Sequence, residues 1–231
     1  MQEALTDAGA ATMLFSTPVI SDAETMGTEG MKYSLPSRDL IADCIELMHE
    51  GYRADAMLTL SGCDKTIPAA LMPIARGNNI GITLYGGTIR PGTLGDPGSG
   101  DINIVSVFEA VGAESQGSAS ADDVHRLECA ACPGHGSCGG FYTANTMASV
   151  NEALGMSLPG TASHVAANAD NSISEEKIGD CVASVAALMT LIEDNIRARD
   201  IMTREAFENA VTVMQVCVSV CVLFVCLCVG L

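Results

Sequence analysis

The chain has 231 residues, 48% hydrophobic and 17% charged, which argues against a disordered polymer and allows one large domain or two small ones. A formal net charge of −17 disfavours non-specific nucleic-acid binding, because phosphates would be repelled. Trp is absent and aromatics make up 4%, so the core must rest on Ala, Val, Ile, Leu and Met.

Residues 1–36 are short apolar pieces broken by Gly, Pro and Ser. Thr17-Pro-Val-Ile-Ser-Asp22 reads as a strand end entering a loop, and Met26-Gly-Thr-Glu-Gly-Met31 continues that loop. Ser37 is expected to cap a helix running to about Glu50. Leu40, Ile41, Ile45, Leu47 and Met48 would form its apolar face, and Gly51 would end it. Ala56-Met-Leu-Thr-Leu60 predicts a buried strand, and Ser61 to Thr66 a loop. Pro68 then opens a helix to about Arg76, since a first-turn N–H has no helical partner to lose. Ile80 to Tyr85 predicts the next strand, with Gly86 and Gly87 as its exit. Strand, loop, helix and strand in this order suggest a βαβ unit. Ligands gather at the carboxyl ends of such parallel strands, and Asp22 and Cys63 both fall at predicted strand ends.

Pro91 to Gly100 is a Gly- and Pro-rich loop, Ile104 to Ala113 a helix, and Ser115 to Ser120 a polar connection. Cys129 to Gly140 is a compact Cys/Gly segment. Helices are expected from Thr143 to Leu154 and from Gly179 to Ala198, and Thr203-Arg-Glu-Ala-Phe-Glu208 opens another with a capping-box pattern. The fold class expected is α/β, a mainly parallel sheet with helices on both faces, over residues 1–214. Residues 215–231 differ: from Val216 onward they carry no charge and hold four of the ten cysteines. That tail is read as the product of a shifted reading frame or of a wrongly drawn gene boundary. A membrane anchor is the alternative, although the run is short for about 30 Å of hydrocarbon and no basic flank follows.

The cysteines lack the dense, even spacing of a secreted disulfide scaffold, and Met1 to Phe15 lacks a basic start, carrying Glu3 and Asp7 instead. They are read as reduced thiols in a cytosol-like or organelle-matrix compartment; no Arg-rich transit peptide is visible. Cys63-Asp64-Lys65 sets a soft thiolate beside a carboxylate, donors suited to an iron–sulfur cluster and to Mg²⁺ respectively. A buried lysine with a depressed pKa can react with CO₂, and the carbamate is an oxygen ligand. On its own the tripeptide reads more readily as an ordinary loop with a buried thiol. In Cys132-Pro-Gly-His-Gly-Ser-Cys138-Gly-Gly140, glycines let the backbone approach a bulky ligand, while the spacing is not the C-x₂-C of zinc ribbons. Metal site and Gly-rich packing both fit this segment, and His135 reads as a loop histidine. Cys44, Cys129 and Cys181 read as small core residues.

Together these stretches resemble the dihydroxy-acid dehydratase family of iron–sulfur hydro-lyases. The likeness is carried by Ser61-Gly-Cys-Asp-Lys-Thr-Ile-Pro68, Tyr85-Gly-Gly-Thr-Ile89, Asp101-Ile-Asn-Ile-Val-Ser106, Ala131 to Gly140, Tyr142-Thr-Ala-Asn-Thr-Met147 and Glu152 to Pro159. Ser21-Asp22, Met26 to Met31 and Ser34 to Arg38 add to it. The wording around Tyr85 leans to a eukaryotic-type dihydroxy-acid branch over the phosphogluconate and sugar-acid branches. The resemblance implies that Cys63 and Cys138 hold an iron–sulfur cluster, 2Fe–2S in preference to 4Fe–4S. It makes Asp22 and Asp64 ligands of Mg²⁺, with Lys65 carbamylated on the same ion. Cys132 is not assigned to the cluster. The implied reaction removes water from a 2,3-dihydroxy acid to give a 2-keto acid in valine and isoleucine synthesis, with the cluster as Lewis acid and Mg²⁺ supporting the enolate. It implies a homodimer, in the mitochondrial matrix or plastid of a eukaryote or otherwise in the cytoplasm.

The family pattern also has a third cluster cysteine upstream of Asp22, and a carboxylate and serine base in a C-terminal β-rich region. This chain shows none of these, so no catalytic residue is assigned within it and it is expected to be inactive alone. Residues 23 and 24 are Ala and Glu where the pattern has Gly and an apolar residue. Two other readings are a non-catalytic metal-binding module paired with a full-length subunit, and a membrane-tethered domain.

Overall fold

A computed structural model of the chain describes residues 1–95, 100–139 and 143–215. The tail over 216–231, Tyr142, Gly140 and part of the Pro91–Gly100 loop lie outside the described residues.

Strand β1 (Ala56–Ser61) pairs in parallel with β2 (Ile80–Tyr85), from Ala56 opposite Ile80 to Ser61 opposite Tyr85. Helix α4 (Thr66–Gly77) is the crossover between them, giving the βαβ unit expected. The sheet is two-stranded among the described residues. Every residue of β2 is buried, as its uninterrupted apolar run requires. β1 is less covered than expected: Met57 is its one buried residue, and Leu60 stands exposed.

Alternation along the strands sends side chains to two cores. On one face, Met57 meets Ala69, Ala70 and Ile74 of α4 and Ile41, Ala42 and Ile45 of α3 (Ser37–Tyr52). On the other, Ile80 and Ile82 pack on Leu188 of α8 (Glu175–Glu193). Helices thus cover both faces, and the chain is α/β. A third cluster, Ile67, Tyr85, Ala148 and Ala162, sits below the carboxyl ends of the strands.

The remaining elements follow local chemistry. Asn103 caps α5 (Ile104–Ser115), and Ser174 caps α8 through the Lys177 N–H. Ser120 and Asp123 form a capping box on α6 (Ala121–Ala130), a helix additional to those expected. α7 (Thr143–Ala153) lies where expected, and residues 204–215 are helical after Thr203. Two short helices, α1 (Gln2–Asp7) and α2 (Asp22–Thr25), open the chain, and α9 (Ala198–Ile201) follows α8.

Several expectations need correction. Asp22 does not end a strand: Ser21 accepts the Glu24 N–H, so the chain turns into α2 instead. Ser37 is the first helical residue of α3 and its hydroxyl donates to the Ser34 carbonyl. Gly51 lies inside α3, which stops at the left-handed Arg53 (φ 56°). The buried stripe of α3 is Ile41, Ala42, Ile45 and His49, while Leu40 and Leu47 face outward. α8 begins before Gly179 because Ser174 supplies the cap, and ends before Ala198.

Candidate metal centre

The Cys63-Asp64-Lys65 turn leaves the carboxyl end of β1 and closes on the start of α4. The Cys63 N–H donates to Thr66 Oγ1 at 2.9 Å, and the Ile67 N–H to the Cys63 carbonyl at 3.0 Å. Asp64 accepts the Lys65 N–H at 2.9 Å, which fixes its carboxylate over the turn. Lys65, only 1% exposed, runs beneath it and places Nζ 2.8 Å from Asp22 Oδ1 and 3.8 Å from Asp64 Oδ1. The Ser34 hydroxyl donates to the same Asp22 oxygen. One oxygen each of Asp22 and Asp64 and the Cys63 sulfur lie within 4.8 Å of one another. Two hard donors and one soft donor thus converge, a set able to hold a cation.

Charge follows this packing. Burial pushes the Asp22 carboxyl up, but hydrogen bonds from Lys65 and Ser34 outweigh it and hold the group below its ordinary value. Burial pushes the Cys63 thiol up. Burial also pulls Lys65 down, yet its contacts with Asp22 and Cys63 prevail and its pKa is raised. In this arrangement Asp22 stabilises the ammonium form of Lys65. Carbamylation would require Lys65 to give up that pair.

Cys138 arrives by a different route. The Ser137 N–H donates to the Gly87 carbonyl at 2.9 Å, and the Ile89 N–H to the Ser137 carbonyl at 2.7 Å. This locks the Cys/Gly segment along the exit of β2 by a parallel bridge to Thr88. Gly62 lies so close to Ser137 that a Cβ there would sit 2.3 Å from its hydroxyl oxygen. Cys63 and Cys138 are each one residue from that contact. Asp22, Cys63, Asp64 and Lys65 are thus gathered in one place, with Cys138 on the adjoining segment. Cys132 is half-buried with its thiol pushed up by burial, and it lines a cleft of about 230 Å³ with Arg90, Thr88 and Gly139. Cys44 and Cys181 are half-buried. Cys129 corrects its expectation, being exposed on the last turn of α6. His135 is exposed in its loop.

Two features escaped the sequence. Tyr85, at the last position of β2, is 3% exposed, and its hydroxyl has no hydrogen-bond partner among the described residues. Its place before Gly86-Gly87 was a visible signal; its burial was not. Lys177 of α8, also buried, donates to the Tyr85 carbonyl at 3.1 Å and the Thr161 carbonyl at 2.9 Å. It pairs with Asp180 at 2.7 Å, and Asp180 holds His164 Nδ1 at 2.9 Å. Nothing local in the sequence distinguishes Lys177 from a surface lysine.

Fold and site define an α/β domain that presents a mixed thiol and carboxylate donor set at the carboxyl end of parallel strands. The family described as dihydroxy-acid/6-phosphogluconate dehydratase N-terminal matches residues 1–219, and the chain belongs to that family. It is 46% identical over 214 residues to "Dihydroxy-acid dehydratase 2" of Staphylococcus saprophyticus, covering 93% of this chain and 36% of that protein. It is 48% identical over 212 residues to "Dihydroxy-acid dehydratase" of Streptococcus pneumoniae strain Hungary19A-6, covering 92% of this chain and 36% of that protein. The chain thus spans about a third of the length of these curated relatives.

Proposed function

We propose that this chain is the metal-binding part of a hydro-lyase that removes water from a 2,3-dihydroxy carboxylic acid, leaving a 2-keto acid for branched-chain amino acid synthesis. The convergence of Asp22, Cys63 and Asp64 over the buried Lys65 carries this reading. The names of the relatives favour a dihydroxy acid over a phosphogluconate.

The donors fit the groups that the family resemblance implies. Cys63 and Cys138 offer soft thiols for an iron–sulfur cluster, and Asp22, Asp64 and a carbamylated Lys65 offer oxygens for Mg²⁺. When bound, these groups would supply Lewis acidity for the leaving hydroxyl and for charge developing beside the carboxylate. The chain's own residues set the stage. Ser34 and Lys65 fix Asp22, and the Lys65 N–H fixes Asp64, so both carboxylates are oriented before any ion arrives. Arg90 and Thr88 line the neighbouring cleft and offer a cation and a hydroxyl to a substrate carboxylate.

Anaerobic reconstitution with iron and sulfide, followed by Mn²⁺ titration read by electron paramagnetic resonance, tests the assignment. Cluster absorption lost in Cys63→Ala and Cys138→Ala, with Mn²⁺ binding lost in Asp64→Asn, is the result expected. Unchanged uptake of both metals in these variants would overturn it.

A further inference from the structure

The Tyr85 phenol is a buried polar group in search of an acceptor. Its ring packs among Ile67, Ala148 and Ala162, and the residue is 3% exposed. Ser137 and Asn145 stand close enough to favour the phenolate slightly, but neither meets hydrogen-bond geometry with the hydroxyl. Buried hydroxyls are rarely left unpaired, so an orphan of this kind points to a ligand that completes it.

The phenol's other neighbours identify that ligand. The two cysteines assigned to the cluster flank the strand end that carries the phenol, where Gly62 and Ser137 come into close approach. Cys63 stands two residues after Ser61, which is paired with Tyr85, and Cys138 follows Ser137, whose N–H donates to the Gly87 carbonyl. A buried, donor-competent phenol without a protein acceptor among the described residues, on the strand end next to both cysteines, is suited to a sulfur acceptor.

We propose that the Tyr85 hydroxyl donates a hydrogen bond to a sulfur of an iron–sulfur cluster held by Cys63 and Cys138. This rests on the cofactor assignment made above and adds a tuning residue to it. Hydrogen bonds to cluster sulfurs stabilise the reduced, more negative state and raise the reduction potential. The same bond draws electron density from the sulfur and strengthens the cluster as a Lewis acid. Lys177, fixed on the Tyr85 carbonyl, holds the strand end that aims the phenol.

The test compares the full chain with Tyr85→Phe, which keeps the ring and its packing. Both are reconstituted anaerobically with iron and sulfide and matched for iron content. The expected results are a more negative midpoint potential in the variant and loss of the deuterium-oxide-induced shift of the iron–sulfur stretching bands in resonance Raman spectra. Heavy-isotope sulfide then tells a bridging sulfide from a cysteine sulfur as the acceptor. A cluster in the parent chain with no deuterium-sensitive band overturns the inference alone, even if the variant fails to fold. Equal potentials in parent and variant also overturn it alone. Failure of the parent chain to take up any cluster overturns the cofactor assignment, and this inference with it.

Discussion

Lys65 Nζ and Asp22 Oδ1 meet at 2.8 Å, with the lysine side chain 1% exposed and the aspartate 26%. The pair ties the segment before α3 to the turn after β1, joining parts of the chain 43 positions apart. Asp22→Asn removes the closer charge partner of a buried ammonium and leaves Asp64 at 3.8 Å. Breaking a fully buried pair costs about 3–5 kcal/mol, and partial exposure of Asp22 reduces this to roughly 2 kcal/mol. Urea unfolding should show that loss, and Mn²⁺ affinity should fall by roughly tenfold or more. Unaltered affinity would remove Asp22 from the cation site.

The Lys177–Asp180 contact should matter far more than the exposed Arg204–Glu208 pair, although their separations, 2.7 and 2.8 Å, are alike. Lys177→Met leaves Asp180 with His164 alone and the Tyr85 and Thr161 carbonyls without that donor. A loss of about 3–5 kcal/mol is expected. Arg204→Ala should cost less than about 1 kcal/mol, because solvent screens the pair. Denaturant midpoints of the two variants would check this, and equal values would contradict it.

Much of this arrangement was legible because short-range rules decided it. β2 could be read from its apolar run and the turn glycines after it, and α4 from Pro68. α6 carries an equally local signal in Ser120 and Asp123. Asp22 was misplaced because an apolar pair before a loop looks like a strand, and only the Ser21 cap turns it into a helix. The motifs marked Cys63, Asp64 and Lys65, but the pairing of Lys65 with Asp22 depends on how distant segments pack. The roles of Tyr85 and Lys177 depend on the same packing, since burial alone separates them from any other tyrosine or lysine.

Gly136 controls where Cys138 stands. Its φ of +148° is open to glycine and strained for other residues, and a Cβ would lie 2.4 Å from the Ile89 nitrogen. Gly136→Ala should therefore push the 136–139 turn off the exit of β2, costing about 1–3 kcal/mol and most of the iron uptake. Gly112, inside α5 with nothing near its would-be Cβ, supplies the control. Gly112→Ala should stabilise by about 0.5–1 kcal/mol and leave uptake unchanged. Iron analysis beside thermal melts separates the two effects, and normal uptake in Gly136→Ala would contradict the placement of Cys138.

Alkaline pH should act on Tyr85 in a defined window. Burial, opposed only weakly by Ser137 and Asn145, pushes the phenol from 10.0 up to about 12. An acid whose pKa rises on folding favours its protonated form in the folded state. Its contribution is complete below the unfolded value and is lost as pH climbs through the folded one. Stability should therefore fall by about 2–3 kcal/mol between pH 10 and 12 through this group. Other groups titrate there too, so the quantity to measure is the difference between the parent chain and Tyr85→Phe. That variant should match the parent at neutral pH or exceed it by about 1 kcal/mol, since it removes an unpartnered hydroxyl. It should then gain on the parent as pH rises. Parallel curves would mean that the phenol reaches water or a partner, and Tyr85 would lose its standing as a buried donor beside the two thiols.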